Sequence, residues 1–190
     1  MRGQRRNGQG DDFVAVLDGA RRGESWAFRE LHAALGPAVA GYLRAHGAED
    51  PDDLASEVFV GVLRGLGTFE GDEEGFRAWV FTIAHRRLAD DRRRRRRRPA
   101  TVRLLRGMDW PGSADVAGDA HRALATARVR EICERLGEGQ RDVLLLRLIG
   151  RLTVDEVAAA IGRSPAAVKA LQRRGLAASA RMIEQDEVAL

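Results

Sequence analysis

The sequence predicts an all-α fold made of two small helical domains, a helical bundle and a helix-turn-helix, joined by a flexible linker. Ala, Leu, Arg and Glu are abundant, and no stretch alternates apolar and polar residues as a half-buried β-strand does. Apolar residues instead recur at spacings of three and four, as they do on the buried face of a helix. A hydrophobic content of 44% with 32% charged residues is typical of a folded globular protein.

Charge is distributed unevenly along the chain, although the formal net charge is only +4. Residues 11–91 carry 16 acidic and 8 arginine side chains, and seven consecutive arginines follow at Arg92–Arg98. A second basic stretch, free of acidic residues, lies between Glu156 and Glu184. Fields of opposite sign at separate places predict two kinds of partner.

The sequence also predicts where the protein resides. No apolar run approaches the roughly 20 residues that span a bilayer, and the polar, basic residues 1–10 read as a flexible arm rather than a signal peptide. We therefore expect a cytoplasmic protein without membrane insertion. The single cysteine, Cys133, cannot form an internal disulfide and is expected to be a small buried hydrophobe.

The first domain opens with two predicted helices. The helical pattern begins at Asp11 or Asp12 and breaks at Gly23. A second helix follows Ser25, which suits the N-cap position, and we expect Pro37 to interrupt it before the pattern resumes. Each helix gathers its apolar residues on one face, so both faces are assigned to the core.

The third helix has a stronger start signal. Asp50 can cap it, Pro51 suits its first position, and Asp53 falls in its first turn, where a carboxylate interacts favourably with the helix dipole. The apolar residues that follow form a stripe with a second pair alongside: Leu54, Val58, Val62 and Leu66, then Phe59 and Leu63. We expect this helix to bury more than one face.

The residues left to project outward from the third helix are Asp52, Asp53, Ser56 and Glu57. Such an acidic patch fits a solvated face, a metal site or a docking surface for a basic partner. A metal site is disfavoured because Asp52 and Glu57 lie about 140° apart around a helix. A second carboxylate cluster lies at residues 72–74. No histidine is spaced to complete a metal site with either cluster, since His32, His46, His85 and His121 are scattered in the sequence. No metal and no cofactor are predicted.

A glycine-rich acidic loop, Gly67 to Gly75, precedes the longest helical run, Phe76 to Pro99. The one large apolar residue of the loop, Phe69, fits a core position better than a stacking platform for a base. The apolar face of the run comprises Trp79, Val80, Ile83, Ala84 and Leu88. The helix should stop before Pro99. The arginines within it fit either a solvated basic tail or a nucleic-acid contact.

Glycine and proline gather at residues 99–118, where periodicity is lost, so we assign a linker there. A second helical domain follows at residues 119–183, with a tail at 184–190. Two helical runs, His121 to Leu136 and Gln140 to Ile149, open this domain.

The next two helices have both a stop and a start signal between them. Thr153 and Glu156 form a capping box, and Gly162 tolerates the left-handed conformation that ends a helix. Ser164 and Pro165 then suit the N-cap and first position of a new helix. So short a turn predicts a helix-turn-helix, with a plain three-helix bundle as the alternative. The candidate DNA contacts of its second helix are Arg163, Ser164, Ala166, Ala167, Lys169, Gln172, Arg173 and Arg174.

Three segments of the chain, in this order, resemble the bacterial extracytoplasmic-function (ECF) sigma factors of RNA polymerase. They are DDLASEVFVGVLRGL, FRAWVFTIAHRRLADDRRRRRRRP and LGEGQRDVLLLRLIGRLTVDEVAAAIGRSPAAVKALQRRGL. The resemblance covers roughly residues 11–182. It implies region 2 of the family at residues 11–98, the linker at 99–118 and region 4 at 119–183, without a third domain.

The resemblance implies a sigma factor rather than an enzyme, with core RNA polymerase and promoter DNA as partners. The first segment docks on the clamp helices of the β′ subunit in the family, which assigns Asp52, Asp53, Ser56 and Glu57 to polymerase binding. Region 4 is expected to meet the flap of the β subunit and to recognise the −35 promoter element through the helix-turn-helix. An anti-sigma protein is a further partner that the family implies.

The second segment recognises and melts the −10 promoter element in the family, and the loop before it takes up a flipped base. By position, this role falls to Phe69, Arg77, His85, Arg86, Arg87, Arg92, Arg93 and Arg94. Two residues depart from the family pattern: Ser56 replaces a usual glutamine and Arg86 a usual asparagine. The arginine run as a whole is expected to add salt-dependent phosphate affinity without choosing a sequence. The alternative is a conventional helix-turn-helix regulator that acts without docking on polymerase.

Overall fold

The computed structural model describes residues 5–97 and 131–187 of the chain. The first range comprises α1 (Arg5–Arg21), α2 (Ser25–Ala45), α3 (Pro51–Gly65), a 3-10 turn (Leu66–Thr68) and α4 (Glu73–Arg97). The second comprises helical residues at 131–135, then α5 (Glu138–Leu148), α6 (Val154–Ile161) and α7 (Pro165–Glu187). No strand occurs in these ranges, and the predicted all-α fold is confirmed.

Parts of the prediction lie outside the described residues. They are the linker at residues 99–118, the start of the second domain at residue 119 and most of the helix predicted from His121. Within the described ranges, no helix is long and apolar enough to cross a membrane.

Two predicted helix starts in the first domain are wrong by different amounts. α1 begins at Arg5 rather than at Asp11 or Asp12. Residues 5–10 contain no proline, so nothing in them ends the helix that the apolar residues after Asp12 hold on the core. Glu24 rather than Ser25 occupies the N-cap position of α2, and Ser25 is the first helical residue. Boundary errors of this size arise because polar residues carry little periodic signal.

The predicted break at Pro37 is also wrong, since α2 is continuous from Ser25 to Ala45. Proline lacks an N–H and therefore removes one backbone hydrogen bond from the helix. Pro37 lies on the exposed side of α2, whereas Leu35 and Val39 on either side of it are buried at 4% and 0% exposure. Burial of this apolar face holds the helix together across the missing bond.

The ends of the helix-turn-helix are those that the sequence predicts. Thr153 and Glu156 cap α6 reciprocally: the Glu156 carboxylate accepts from the Thr153 N–H at 2.6 Å, and Thr153 Oγ1 accepts in return. Gly162 ends α6 in the left-handed conformation, with φ of 66°. Ser164 Oγ then accepts from the Ala167 N–H at 3.3 Å and caps α7. The turn between α6 and α7 is therefore fixed by local hydrogen bonds.

The two described parts share one hydrophobic core. α1, α2, α3 and α4 pack in chain order, and α5, α6 and α7 pack on one another. α4 also packs against α6, and α2 against α5. Side chains buried to 2% or less come from both parts and include Tyr42, Val58, Phe81, Leu146 and Leu152. Cys133 is 6% exposed, as predicted, and burial raises the pKa of its thiol.

Candidate docking and nucleic-acid interfaces

The predicted acidic patch begins at the capped N-terminus of α3. The Asp50 carboxylate accepts a hydrogen bond from the Asp53 N–H at 2.9 Å, and Pro51 occupies the first turn, as the sequence predicts. Asp52 and Asp53 are both exposed. The α3 N-terminus therefore presents two carboxylates to solvent, stabilised by the free N–H groups of the first turn.

Apolar side chains continue this patch along the same side of α3. Val60 and Leu63 are 44% and 46% exposed, whereas Leu54, Val58, Phe59, Val62 and Leu66 are buried. The prediction that Leu63 belongs to the core is therefore wrong. We define the α3 stripe as the outward residues Asp53, Ser56, Glu57, Val60 and Leu63, which recur at helical spacing.

Val60 is not among the contacts predicted from the sequence. Its position in the sequence indicates the exposure: Val60 follows Glu57 by three residues and Ser56 by four, so helical spacing places it on their outward face. It is not part of the buried series Leu54, Val58 and Val62. An exposed apolar pair beside acidic residues is typical of a protein-binding surface.

A cleft of about 300 Å³ opens beside the α3 stripe. Its charged lining consists of Glu49, Asp50, Asp53, Glu57, Asp91 and Arg94. Arg94 lies 3.7 Å from the Glu57 carboxylate and 3.9 Å from that of Asp91. Among the residues the structure describes, no group of three or more His, Cys, Asp or Glu side chains is positioned to hold a metal ion.

The arginine run is helical through Arg97, and Arg92 to Arg96 each lie within 4 Å of an acidic side chain of this chain. Arg93 contacts Asp90 at 2.5 Å, and Arg95 contacts Asp91 at 2.6 Å. Arg95 also donates to the Gly47 carbonyl at 3.2 Å. The two acidic partners lie three and four residues earlier on α4, where helical spacing places neighbours, whereas the contact with Gly47 comes from a distant part of the chain and cannot be predicted from spacing.

Arg92 is the least exposed member whose pairing is described, with 16% of its side chain accessible. It donates to Glu138 Oε1 at 2.9 Å and to His46 Nδ1 at 2.7 Å, and it lies 3.7 Å from Asp142 Oδ1. Arg96 approaches the same Glu138 at 3.9 Å. Arg92 therefore connects α4 to α5, across the boundary between the two described parts.

Burial shifts the pKa of both acid–base groups at this contact. Desolvation lowers the pKa of His46 to about 2, helped by the charge of Arg92, so the imidazole is neutral at physiological pH. Desolvation raises the pKa of Asp142 to about 6, and Arg92 opposes that shift. Because the imidazole is neutral, the 3.7 Å approach of His46 Nε2 to Asp142 Oδ1 is not an ion pair. Neither atom has a hydrogen-bond partner within the described part of the chain.

The candidate −10 residues occupy different environments. Arg86 is exposed, and Arg77 and Arg87 are half-buried. His85 is also half-buried, its Nδ1 bonded to the Tyr42 hydroxyl at 3.0 Å, and burial lowers its pKa. The loop before α4 is shorter than predicted, because α4 begins at Glu73. The remaining candidates from the arginine run, Arg92, Arg93 and Arg94, have the acidic contacts described above.

Phe69 lies inside the core of the first domain. It is 8% exposed, its ring is stacked with Trp79 at 5.1 Å and meets Phe76 edge-on at 5.3 Å, and Arg21 donates to its carbonyl. These contacts account for the core role that the sequence favours. A role of Phe69 in DNA binding stays a prediction.

The predicted recognition helix, α7, presents its N-terminal half to solvent. The candidates that are exposed are Arg163, Ser164, Ala166, Lys169, Arg173 and Arg174, while Ala167 and Gln172 are half-buried. Val168 is fully buried and holds the helix on the core. The exposed basic residues Arg163 and Lys169 lie close in sequence to the N-terminus of α7, and both basic side chains and the N–H groups of a helix N-terminus suit a phosphate backbone.

Two family profiles match this chain in the order of its two described parts. The profile of Sigma-70 region 2 matches residues 31–98, and the profile of Sigma-70, region 4 matches residues 126–178. Both candidate interfaces of the first part, the α3 stripe and α4, fall within the first match. The helix-turn-helix falls within the second.

Curated relatives align over most of the chain. The ECF RNA polymerase sigma factor SigD of Mycobacterium tuberculosis is 32% identical over 174 residues, which is 88% of this chain and 82% of SigD. ShbA of Streptomyces griseus, another ECF RNA polymerase sigma factor, is 31% identical over 181 residues, which is 90% of this chain and 95% of ShbA. Among solved structures, CnrH in complex with the cytosolic domain of CnrY matches with a TM-score of 0.65 at 27% identity, covering 90% of this chain and 97% of CnrH.

Proposed function

Because this chain belongs to the ECF group of RNA polymerase sigma factors, we propose that its α3 stripe docks on core RNA polymerase and that its basic faces bind promoter DNA. As a sigma factor, the chain acts with RNA polymerase to direct transcription initiation at specific promoters. The observation that carries this function is the match to both sigma regions in order, together with relatives that align over most of its length. A regulator that acts without polymerase is not favoured.

The docking surface combines an apolar centre with an acidic edge. Val60 and Leu63 would be desolvated on binding, and the carboxylates of Asp52, Asp53 and Glu57 would meet a basic partner. The clamp helices of the β′ subunit are the expected partner, as the family resemblance implies. The Ser56 hydroxyl donates a hydrogen bond to the Asp52 backbone carbonyl at 3.0 Å. The short serine side chain therefore bonds to its own helix rather than reaching toward a partner. The usual glutamine would reach further.

The −10 side of the promoter is assigned to α4 and the loop before it. Arg77, Arg86 and Arg87 line the accessible part of this helix and can contact the backbone of a displaced strand. Taking a base out of the stack costs a few kcal/mol, which contacts of this kind must offset.

The −35 side is assigned to α7. Lys169, Gln172 and Arg173 are the residues best suited to base edges, because Ala166 and Ala167 offer no side-chain hydrogen bonds. Arg163 and the capped N-terminus of α7 would hold phosphates and fix the register of the helix in the groove. Region 4 is expected to meet the β flap at the same time.

Three further assignments complete the proposal. The match to CnrH, whose solved structure is a complex with the cytosolic domain of CnrY, favours an anti-sigma protein as a regulator of this chain. A cytoplasmic location follows from the partners, since polymerase and promoter DNA are found there. The chain is proposed to have no catalytic site of its own and to supply recognition only.

A reconstitution tests the function directly. The purified chain is mixed with sigma-free core polymerase and genomic promoter fragments, and transcripts are mapped. Start sites that appear only when the chain is present are expected. A variant with Asp53→Arg and Glu57→Arg should lose most of them, whereas Asp12→Arg with Glu30→Arg, the same charge change at exposed positions of α1 and α2, should not. Absence of specific transcripts with the unmodified chain would refute the proposed function.

A further inference from the structure

Two helices of region 2, α3 and α4, meet along a line that joins the docking surface to the proposed −10 helix. On α3, Glu57 and Gly61 lie about one turn apart. On α4, Arg94 follows Arg87 by two turns. Arg94 Nη2 is 3.7 Å from the Glu57 carboxylate. A Cβ added at Gly61 would be 3.8 Å from Arg87 Nη2. One edge of α4 therefore follows α3 through both arginines.

Arg94 is the cation that Glu57 meets within this chain. In the described ranges, no other arginine, lysine or histidine side chain lies within 4 Å of the Glu57 carboxylate. The second acidic neighbour of Arg94 is Asp91, at 3.9 Å, and Arg95 already pairs with Asp91 at 2.6 Å. The Glu57–Arg94 pair can therefore separate without leaving Asp91 unpaired.

The Glu57–Arg94 pair is weak enough to exchange. The two side chains are 39% and 52% exposed, and at 3.7 Å the nitrogen and oxygen are too far apart for a hydrogen bond. Exposed ion pairs contribute little to stability. A guanidinium of a docked basic partner is desolvated and forms two charge-assisted hydrogen bonds with a carboxylate. Such a partner therefore displaces Arg94 from Glu57.

Displacement directs Arg94 toward DNA for an electrostatic reason. A partner guanidinium on Glu57 repels the neighbouring guanidinium of Arg94. Helical spacing places Arg94 on the same side of α4 as Arg87, which is assigned to the −10 side of the promoter. A promoter bound along α4 supplies phosphates as the replacement anions.

We propose that Arg94 competes with core polymerase for the docking carboxylate Glu57, and that docking transfers Arg94 from Glu57 to a promoter phosphate. The inference rests on the proposed function, because it takes Glu57 as a docking residue and α4 as the −10 helix. Arg94 is then a positioning residue that couples two surfaces. Docking frees a cation for DNA, and bound DNA frees Glu57 for polymerase, since such coupling is reciprocal.

The first test is a double-mutant cycle on the affinity for sigma-free core polymerase. Arg94→Gln removes the competitor and should lower the Kd about threefold, measured by fluorescence anisotropy of the labelled chain. Glu57→Gln alone should raise the Kd. In the Glu57→Gln background, Arg94→Gln should bring no gain, because no carboxylate is left to release.

Arg29→Gln is the matched control, because it makes the same charge change at an exposed position of α2. It should leave the Kd unchanged. A gain from Arg94→Gln that persists in the Glu57→Gln background would come from net charge and would overturn the proposal. An unchanged or raised Kd for Arg94→Gln would overturn it as well.

The second test measures the transfer to DNA. Core polymerase saturated with the Arg94→Gln chain should bind a promoter fragment several-fold more weakly than with the unmodified chain. Its salt slope should fall by about 0.7–0.9, the value for one phosphate contact on single-stranded or duplex DNA. Arg94→Gln thus tightens core binding and weakens promoter binding, whereas damage to the fold weakens both. Unchanged promoter affinity and salt slope would also contradict the proposal.

The cycle separates the competition from the function on which it rests. If Glu57→Gln weakens core binding but Arg94→Gln has the same effect in both backgrounds, Glu57 remains a docking residue and the competition is wrong. If Glu57→Gln leaves core binding unchanged, the docking assignment of Glu57 and the competition are both wrong. Promoter-specific transcripts from the unmodified chain with core polymerase would retain the sigma function in either case.

Discussion

Arg92 donates a hydrogen bond to His46 Nδ1 at 2.7 Å, and this contact fixes the state of the imidazole. Arginine cannot accept a hydrogen bond, so Nδ1 must be unprotonated and the ring proton must lie on Nε2. A neutral His46 agrees with the lowering of its pKa by burial and by the Arg92 charge. The contact joins the loop after α2 to the arginine run, beside two carboxylates of region 4.

The stability of this contact should depend on pH in a way that one substitution reveals. The pKa of His46 is about 2 in the fold and near 6.5 when unfolded, so His46 lowers stability as pH falls below 6.5. The pKa of Asp142 is about 6 in the fold and 3.8 in the unfolded chain. The folded state therefore takes up this proton first, and Asp142 raises stability as pH falls from 6 to 4. The two effects oppose each other in the unmodified chain.

Asp142→Asn should remove this compensation. Its free energy of unfolding, measured by denaturant titration, should fall relative to the unmodified chain by about 1.4 kcal/mol per pH unit between pH 6 and 4. Asn keeps an acceptor near Arg92, so the fold should persist at pH 7. Parallel stability curves for the two proteins would contradict the pKa assignments.

Val60 and Leu63 should contribute to polymerase affinity. Replacing both with serine removes exposed apolar surface without disturbing the buried side of α3, so the Kd for core polymerase should rise about tenfold. Binding is measured by fluorescence anisotropy of the labelled chain. Val14→Ser, at an apolar residue 56% exposed on α1, is the control and should bind as the unmodified chain does. An unchanged Kd for the double variant would show that only the acidic residues of α3, and not Val60 and Leu63, contribute to docking.

The recognition helix should control −35 affinity. Lys169→Ala and Arg173→Ala should each weaken binding to a duplex promoter fragment by about 1–2 kcal/mol, because both side chains are exposed on the first turns of α7. Arg181→Ala removes a charge from the same helix further along and should cost less. If all three variants show the same decrease in affinity, α7 acts only through its net charge.

The exposed arginines of the run should act on all promoters alike. Arg93→Gln with Arg97→Gln leaves the interface with region 4 intact and removes two charges. Binding should weaken to a similar degree across promoters, and the salt slope should fall by about 0.9 for each phosphate that is no longer neutralised. Arg29→Gln with Arg64→Gln, exposed on α2 and α3, is the matched control. A change in promoter preference would show that the run contributes to sequence choice.

Phe69 should matter for stability whatever its part in DNA binding. Phe69→Ala should lower the free energy of unfolding by about 3 kcal/mol, because it empties a site between Phe76 and Trp79. Phe69→Leu fills most of that volume and should cost less. Thermal unfolding measures both variants. A leucine variant with near-normal stability that fails to open promoters would assign Phe69 a role at the −10 element as well.

Local signals in the sequence were sufficient for the framework of this protein. The reciprocal cap of Thr153 and Glu156, the left-handed Gly162 and the Ser164 cap depend on residues within a few positions of one another, so the helix-turn-helix could be predicted directly. The cap at Asp50 was predicted for the same reason. The failure at Pro37 shows the limit, because burial of the flanking Leu35 and Val39 in the tertiary core keeps α2 intact there.

The sequence by itself determined the all-α fold, the two sigma regions and the charged segments. Periodicity, helix caps and family motifs each depend on residues that are close together in the chain. Only the tertiary structure decided which charges are free. It set Arg92 against Glu138, 46 residues further along the chain, and it turned Leu63 outward. Such contacts depend on how helices pack on one another, and spacing along one helix cannot specify a partner on another.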